Sequence, residues 1–334
     1  MLNREDIHII AEAGTNNNGD LQKAKNLVSI AKRSGVDSVK FQMINTWGLY
    51  LPGEYEYGKY DIKDVIKIRE EGQMTDQEYT QLAAFSESKN INFTSSIFDV
   101  KGLDLLLKFN PPYVKLASCD LNHISLIREV AKRGVKMVIS TGMSTFEDVE
   151  RTVNELAKLN FDNYVLLHCI SVYPATLDQA NLKYIKTLKD AFKVEVGFSD
   201  HTGNSIAACM ALQYGATWFE KHFTEDSSQK GLDHAYAMEE KGLTEYVKDI
   251  EMALDAMQAT NKTLTTAEML TRKRARRSLY AAKDLSEGHV VTAEDVLIVR
   301  PEGEMRADEI DLLIGKKLLK AAKQYEGFQK LMLS

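Results

Sequence analysis

The 334-residue chain lacks the marks of several protein classes. Its three cysteines, Cys119, Cys169 and Cys209, sit in separate segments without CxxC spacing. An odd, scattered count argues against a disulfide framework and points to a reducing cytoplasm. No stretch approaches the 18 or so uninterrupted apolar residues that cross a bilayer, and the first ten residues run into a strand-like segment too short for a signal h-region. Neither secretion nor membrane insertion is expected. A formal charge of -6 leaves no basic surface field, which counts against nucleic acid as a partner. There is no GxGxxG after the first apolar run, so Gly19 alone is no dinucleotide fingerprint. With five prolines and 44% apolar residues, the chain has the composition of a globular protein with a large core.

What is present is alternation. Short apolar runs recur at residues 7–13, 38–42, 92–96, 113–117, 136–141, 163–168, 195–199 and 217–221, and read as buried strands. Helical periodicity lies between most of them, at 20–34, 76–89, 124–133, 145–159, 184–191 and 204–214, with a last helix at 243–259. Eight such units predict a closed (β/α)8 TIM barrel, with an open doubly wound sheet as the rival. Residues 45–74, with Trp47, Tyr50, Tyr55, Tyr57 and Tyr60, are too long for an ordinary connection and read as a lid or an interface loop. The barrel pattern ends near 260, so 1–260 is the first domain. Residues 261–275 read as a linker or connecting helix whose basic run from Arg272 to Arg277 suits a solvated face better than a nucleic-acid site. Residues 276–334 form a small second domain.

In a barrel the carboxyl ends of the strands converge on one pocket, and here those ends are dense in polar residues. Two histidines stand out, His201 in Ser-Asp-His-Thr and His222 in Glu-Lys-His-Phe. Either alone reads as a hydrogen-bonded strand-end histidine, but two from adjacent strands point to a divalent metal. Lys40, Lys115 and Lys221 interrupt strand runs that are normally aliphatic. An anionic ligand held by lysines and strand-end serines accounts for them, and a Schiff-base lysine is the competing chemistry.

At these residues the chain resembles the sialic acid synthases of the NeuB type. Matching segments lie at 10–19, 39–42, 115–118, 140–143, 167–169, 199–202 and 220–224, and the region around 276–279 and 299–303 is similar to the antifreeze-like (SAF) domain of these synthases. The resemblance implies condensation of phosphoenolpyruvate with an open-chain N-acetylated amino sugar, giving a nine-carbon α-keto acid and phosphate. It implies Mn2+ or Mg2+ on His201 and His222, with Glu220 and Asp233 bonding to waters on the metal and Glu12 acting on the water that adds at C2. Lys40, Ser96, Lys115, Ser118, Ser140 and Ser199 would hold phosphoenolpyruvate, while Gln42, Asp120, Tyr173 and Asp233 would line the sugar. Arg300 would reach the sugar site of a partner chain in a domain-swapped homodimer.

Asp120, Ser96 and Ser171 stand where many family members have glutamate, threonine and asparagine. The smaller groups at 120 and 171 leave room for a di-N-acetylated sugar, and so for a legionaminic or pseudaminic acid product in place of N-acetylneuraminate. A metal-dependent barrel lyase or isomerase and a non-catalytic sugar-binding protein are the alternatives from other classes.

Overall fold

In the computed structural model, residues 2–51, 56–57, 60–258 and 263–334 are described, with the backbone alone for 47, 56, 57, 60 and 61. The chain divides into two compact units, Met1–Gln258 and Ala259–Ser334. The first is a closed barrel of eight parallel strands: β1 (His8–Gly14), β2 (Ser38–Met43), β3 (Asn92–Ile97), β4 (Val114–Leu116), β5 (Met137–Ser140), β6 (Tyr164–Cys169), β7 (Glu195–Asp200) and β8 (Ala216–His222). Strands run in chain order around the ring, and β1 closes it by pairing with both β2 and β8. Each of the eight apolar runs in the sequence became one of these strands, and the sheet they form is closed, not doubly wound.

Helices α1 (Leu21–Ser34), α2 (Ile62–Glu71), α3 (Asp76–Ser88), α4 (Val100–Leu107), α5 (Ile124–Lys132), α6 (Phe146–Lys158), α7 (Lys183–Phe192), α8 (Ile206–Ala211) and α9 (Glu240–Ala256) accompany the strands. Capping side chains fix several starts. Asp20 accepts from the amides of Gln22 and Lys23, and Thr75 and Thr145 form reciprocal boxes with Glu78 and Asp148. The 45–74 segment contains α2, a feature its composition did not announce. Tyr55 lies outside the described residues.

Strand side chains alternate between two faces, and that parity decides what reaches the site. Outward residues such as Ile9, Val39, Phe41 and Phe219 pack with the helices into the main core. Inward residues of the amino-terminal half, Ile10, Val138, Val165, Leu167 and Trp218, join Tyr113 in a separate apolar plug. His8 stacks on Trp218 at 4.2 Å, and Lys136 lies 4.9 Å from that indole. One or two steps further along the same inward faces come Glu12, Ser140, Cys169, Glu220 and His222. The plug therefore closes the barrel from below and leaves the carboxyl ends as a polar floor.

The second unit has its own core of Leu279, Leu285, Val291, Met305, Leu318 and Phe328. Its strands β9 (Ser278–Ala281) and β10 (Val296–Val299) pair antiparallel. Buried Asp295 accepts from the Thr292 amide and hydroxyl and pairs with Lys283 and His289. Helix α10 (Thr266–Ala275) occupies most of the stretch read as a linker. Arg272 of α10 pairs with Glu302 at 2.9 Å. Residues 259–262, where the domain boundary was placed, lie outside the described residues. Arg300 follows β10 and is exposed.

Candidate functional site

The carboxyl ends of the strands surround a cavity of about 320 Å³. Its wall includes Glu12, Lys40, Gln42, Ser96, Lys115, Ser118, Ser140, Tyr173, Ser199, His201, Glu220, His222 and Asp233, so the site residues anticipated on the barrel, Asp120 excepted, meet in one place. Arg300, expected from a partner chain, belongs to the second unit. Asp120 is the exception. It ends the short turn Ser118–Asp120, and its carboxylate engages His123 Nδ1 at 3.1 Å and the Cys119 thiol instead of facing the cavity. An imidazole three residues ahead in the same turn supplies the nearer partner.

Four buried charges form the floor. Lys40 Nζ lies 2.9 Å from Glu12 Oε2, 3.3 Å from Glu220 Oε2 and 2.9 Å from Ser96 Oγ. Lys115 Nζ donates to Ser140 Oγ at 2.6 Å and sits 3.9 Å from Glu220 Oε1, which also accepts from Ser199 Oγ. Gln42 Nε2 donates to Glu12 Oε1 at 2.8 Å. Two ammoniums and two carboxylates balance, as buried ions must. The carboxylates are nonetheless unequal. Burial raises the Glu12 carboxyl, and Lys40 only partly offsets it. Burial also works against Glu220, but Lys115 and Lys40 outweigh it and hold that group low. Of the pair, Glu12 thus binds a proton the more readily and Glu220 is the fixed anion.

Across the floor stand the two histidines, their ring centroids 5.5 Å apart. His201 Nδ1 donates to the Ile170 carbonyl at 2.7 Å, which fixes the tautomer and leaves the Nε2 lone pair facing the cavity, 3.5 Å from Ser199 Oγ. His222 Nδ1 is buried without a hydrogen-bond partner. Burial, chiefly, lowers both rings to about 4, so both are neutral at physiological pH. Neutral imidazoles that each keep one nitrogen lone pair are fit to bind a divalent ion. Among the described residues no cluster of three His, Cys, Asp or Glu side chains could cage a metal. A metal here would therefore take two protein nitrogens and complete its shell with water or substrate.

Asp233 and Tyr173 close the cavity. Asp233 Oδ1 accepts from Tyr236 at 2.6 Å, while its Oδ2 is buried and unpartnered. A Cβ on Gly14 would lie 2.7 Å from that Oδ2, and Gly14 has a φ of +56°, so glycine serves both conformation and approach. The Tyr173 ring lies 4.2 Å from that of His201 and 5.0 Å from that of Tyr236.

Some wall residues carry no signal in the sequence. Val65 and Arg69 arrive on α2, where Arg69 donates to Thr15 Oγ1, and Tyr236 arrives on the turn after Asp233. Cys169, 3.1 Å from Ser118, also lines the wall, and Ser171, already singled out in the sequence, turns a buried, unpartnered hydroxyl into it. In the other direction, His168 faces outward, bonded to the Ala180 carbonyl and 5.9 Å from the Phe198 ring. Lys221 also corrects the expectation. The sequence groups it with the anion-binding lysines, yet its odd parity on β8 points it out of the barrel, to Asp200.

Known proteins resemble this chain over most of its length. The model of the NeuB family matches residues 27–262, and that of the SAF domain matches residues 276–322. The chain is 33% identical over 326 residues to an N,N'-diacetyllegionaminic acid synthase of Campylobacter jejuni, covering 95% of this chain and 97% of the relative. It is 31% identical over 349 residues to the N-acetylneuraminate-9-phosphate synthase of Drosophila melanogaster, covering 94% and 92%. A crystal structure of N-acetylneuraminic acid (sialic acid) synthetase from Leptospira borgpetersenii in complex with citrate aligns with a TM-score of 0.70 at 29% identity, over 79% of this chain and 90% of that one.

Proposed function

Because the chain belongs to the NeuB family and carries a SAF domain after its barrel, we propose that it condenses phosphoenolpyruvate with an N-acetylated amino sugar to give a nine-carbon α-keto acid and phosphate. The observation that carries this reading is one cavity with two lysines in its floor, two neutral histidines on its wall, and a carboxyl held high at Glu12. A phosphate and a carboxylate each find charge and donors there. Lys40 with Ser96, and Lys115 with Ser118, Ser140 and Ser199, hold phosphoenolpyruvate, whose anionic groups take Lys40 over from Glu12 while Glu220 keeps both lysines in place. Gln42, Tyr173 and Asp233 line the sugar, with Ser171 beside them. The family likeness further supports Arg300 from a second copy, in a domain-swapped homodimer, as a sugar contact.

A divalent ion, Mn2+ or Mg2+, held by His201 and His222, would supply Lewis acidity to the sugar carbonyl. The chain's own groups do the rest. The lysine floor orients the enol so that its methylene carbon forms the new bond to the aldehyde carbon, whose oxygen takes a proton. Water adds to the cationic C2, and Glu12 takes its proton. The bond from C2 to the phosphate oxygen then breaks, the C2 hydroxyl proton leaves with phosphate, and the ketone remains, while the proton that Glu12 took from water replaces the one taken up by the sugar oxygen. Glu220, held by Ser199, stays ionised throughout and keeps both lysines in place by direct contact.

The substrate we propose is a 2,4-diacetamido trideoxy sugar, giving a legionaminic-type acid. Ser171 is smaller than the asparagine that many family members carry there and leaves an unpaired hydroxyl for a second acetamido group. The 33% identity to the Campylobacter jejuni synthase, spread over nearly all of both chains, supports this reading. Phosphate release from phosphoenolpyruvate across a sugar panel tests it. We expect kcat/KM at least tenfold higher for a 2,4-diacetamido sugar than for N-acetylmannosamine, and loss of turnover with EDTA, restored by Mn2+. Equal rates with both sugars would remove the substrate assignment, and full activity in EDTA would remove the metal.

A further inference from the structure

Lys221 stands between Glu220 and His222 but faces the other way, into the packing behind β8. There its ammonium, 2% exposed, meets the Asp200 carboxylate at 3.5 Å and the ring of Tyr246 on α9 at 5.4 Å, and it donates to the carbonyl of Thr202. Asp200, at the end of β7, accepts from the Thr202 amide at 2.8 Å and its hydroxyl at 2.7 Å. Both backbone polar groups of Thr202 are therefore gripped, one by each of two adjacent strands. Thr202 directly follows His201. The His201 carbonyl is itself held by the Ala175 amide at 2.9 Å.

A buried ion pair returns little stability over a well-packed apolar pair, so one placed away from the substrate cavity calls for a geometric role. Its location supplies that role, since Asp200 adjoins His201 and Lys221 adjoins His222. We propose that Asp200 and Lys221 are positioning residues, a clamp that grips Thr202 and sets the spacing of the two histidines, and through it the affinity for a divalent ion. This rests on the reading of His201 and His222 as metal ligands. Groups that orient ligands in this way typically alter metal affinity by about 10- to 100-fold.

The test is Mn2+ titration, read by electron paramagnetic resonance, of wild type, His222→Ala, Lys221→Met and the double variant Asp200→Asn/Lys221→Met. Melting curves and metal-free phosphoenolpyruvate binding are measured alongside. The double variant leaves no unpaired buried charge and keeps an oxygen for the Thr202 amide, so it decides the matter if the single variant does not fold. We expect Mn2+ affinity to fall at least tenfold in the folded variants, with phosphoenolpyruvate affinity within twofold of wild type, because Lys40 and Lys115 are untouched. Mn2+ affinity within twofold of wild type would overturn the clamp. So would joint loss of Mn2+ and phosphoenolpyruvate binding, or failure of both variants to fold, since either makes the pair a general stability element. Wild type that takes up no Mn2+, or His222→Ala that binds it as wild type does, overturns the ligand reading and the clamp with it. Absence of phosphoenolpyruvate binding in wild type would count against the proposed reaction while leaving the Mn2+ comparison decisive for the clamp.

Discussion

Replacing Glu12 with glutamine is expected to lower kcat by about 10²- to 10⁴-fold, the usual worth of a positioned general base. Glutamine keeps the shape and can still meet Gln42 and Lys40, so the site stays assembled. What it loses is the ability to take a proton from the water that adds at C2. The direction of the KM change is informative too. Glu12 competes with an incoming anion for Lys40 at 2.9 Å, so removing its charge should leave KM for phosphoenolpyruvate unchanged or lower it. Glu220→Gln should behave oppositely, because that carboxylate is held low by both lysines and anchors their positions. Steady-state kinetics separates the two. A kcat for Glu12→Gln within threefold of wild type would remove Glu12 as the base.

His222→Ala is expected to abolish metal-dependent turnover and Mn2+ binding without unfolding the barrel. Its Nδ1 has no hydrogen-bond partner to orphan, and the loss is a partly filled ring site at the open end of the barrel, a cost of about 1–3 kcal/mol. The apolar plug at the other end, on Trp218 and Tyr113, is unaffected. Melting curves and phosphate release with added Mn2+ read the two effects separately. Wild-type turnover in a folded His222→Ala variant would show that this imidazole holds no essential ion.

The barrel was legible because parallel strands buried on both faces read as compact apolar runs, and all eight did. Helices α2 and α4 were not. Helix α2 lies in a long connection with no strand-like run to bracket it, and Val100–Leu107 is only eight residues long with two polar side chains, Lys101 and Asp104, too short for a helical period to repeat. Within the site, residues on strand ends could be found from sequence, since the fold brings strand ends together whatever lies between them. Arg69 and Tyr236 could not, because their approach depends on the paths of α2 and of the loop after β8. Lys221 is the instructive miss. With Glu220 and His222 both facing the cavity, the alternation of a strand alone turns the residue between them outward. Asp120 shows the reverse, a residue correctly placed beside the cavity whose side chain is captured by its neighbour His123.

The most direct test of the proposed condensation is a mass balance. Purified protein is incubated with Mn2+ and phosphoenolpyruvate, with and without a 2,4-diacetamido trideoxy sugar, and phosphate and nine-carbon α-keto acid are quantified together. The account predicts no phosphate without sugar, and one phosphate per molecule of keto acid with it. Phosphate release that does not depend on sugar, or consumption of sugar without loss of phosphoenolpyruvate, would contradict it.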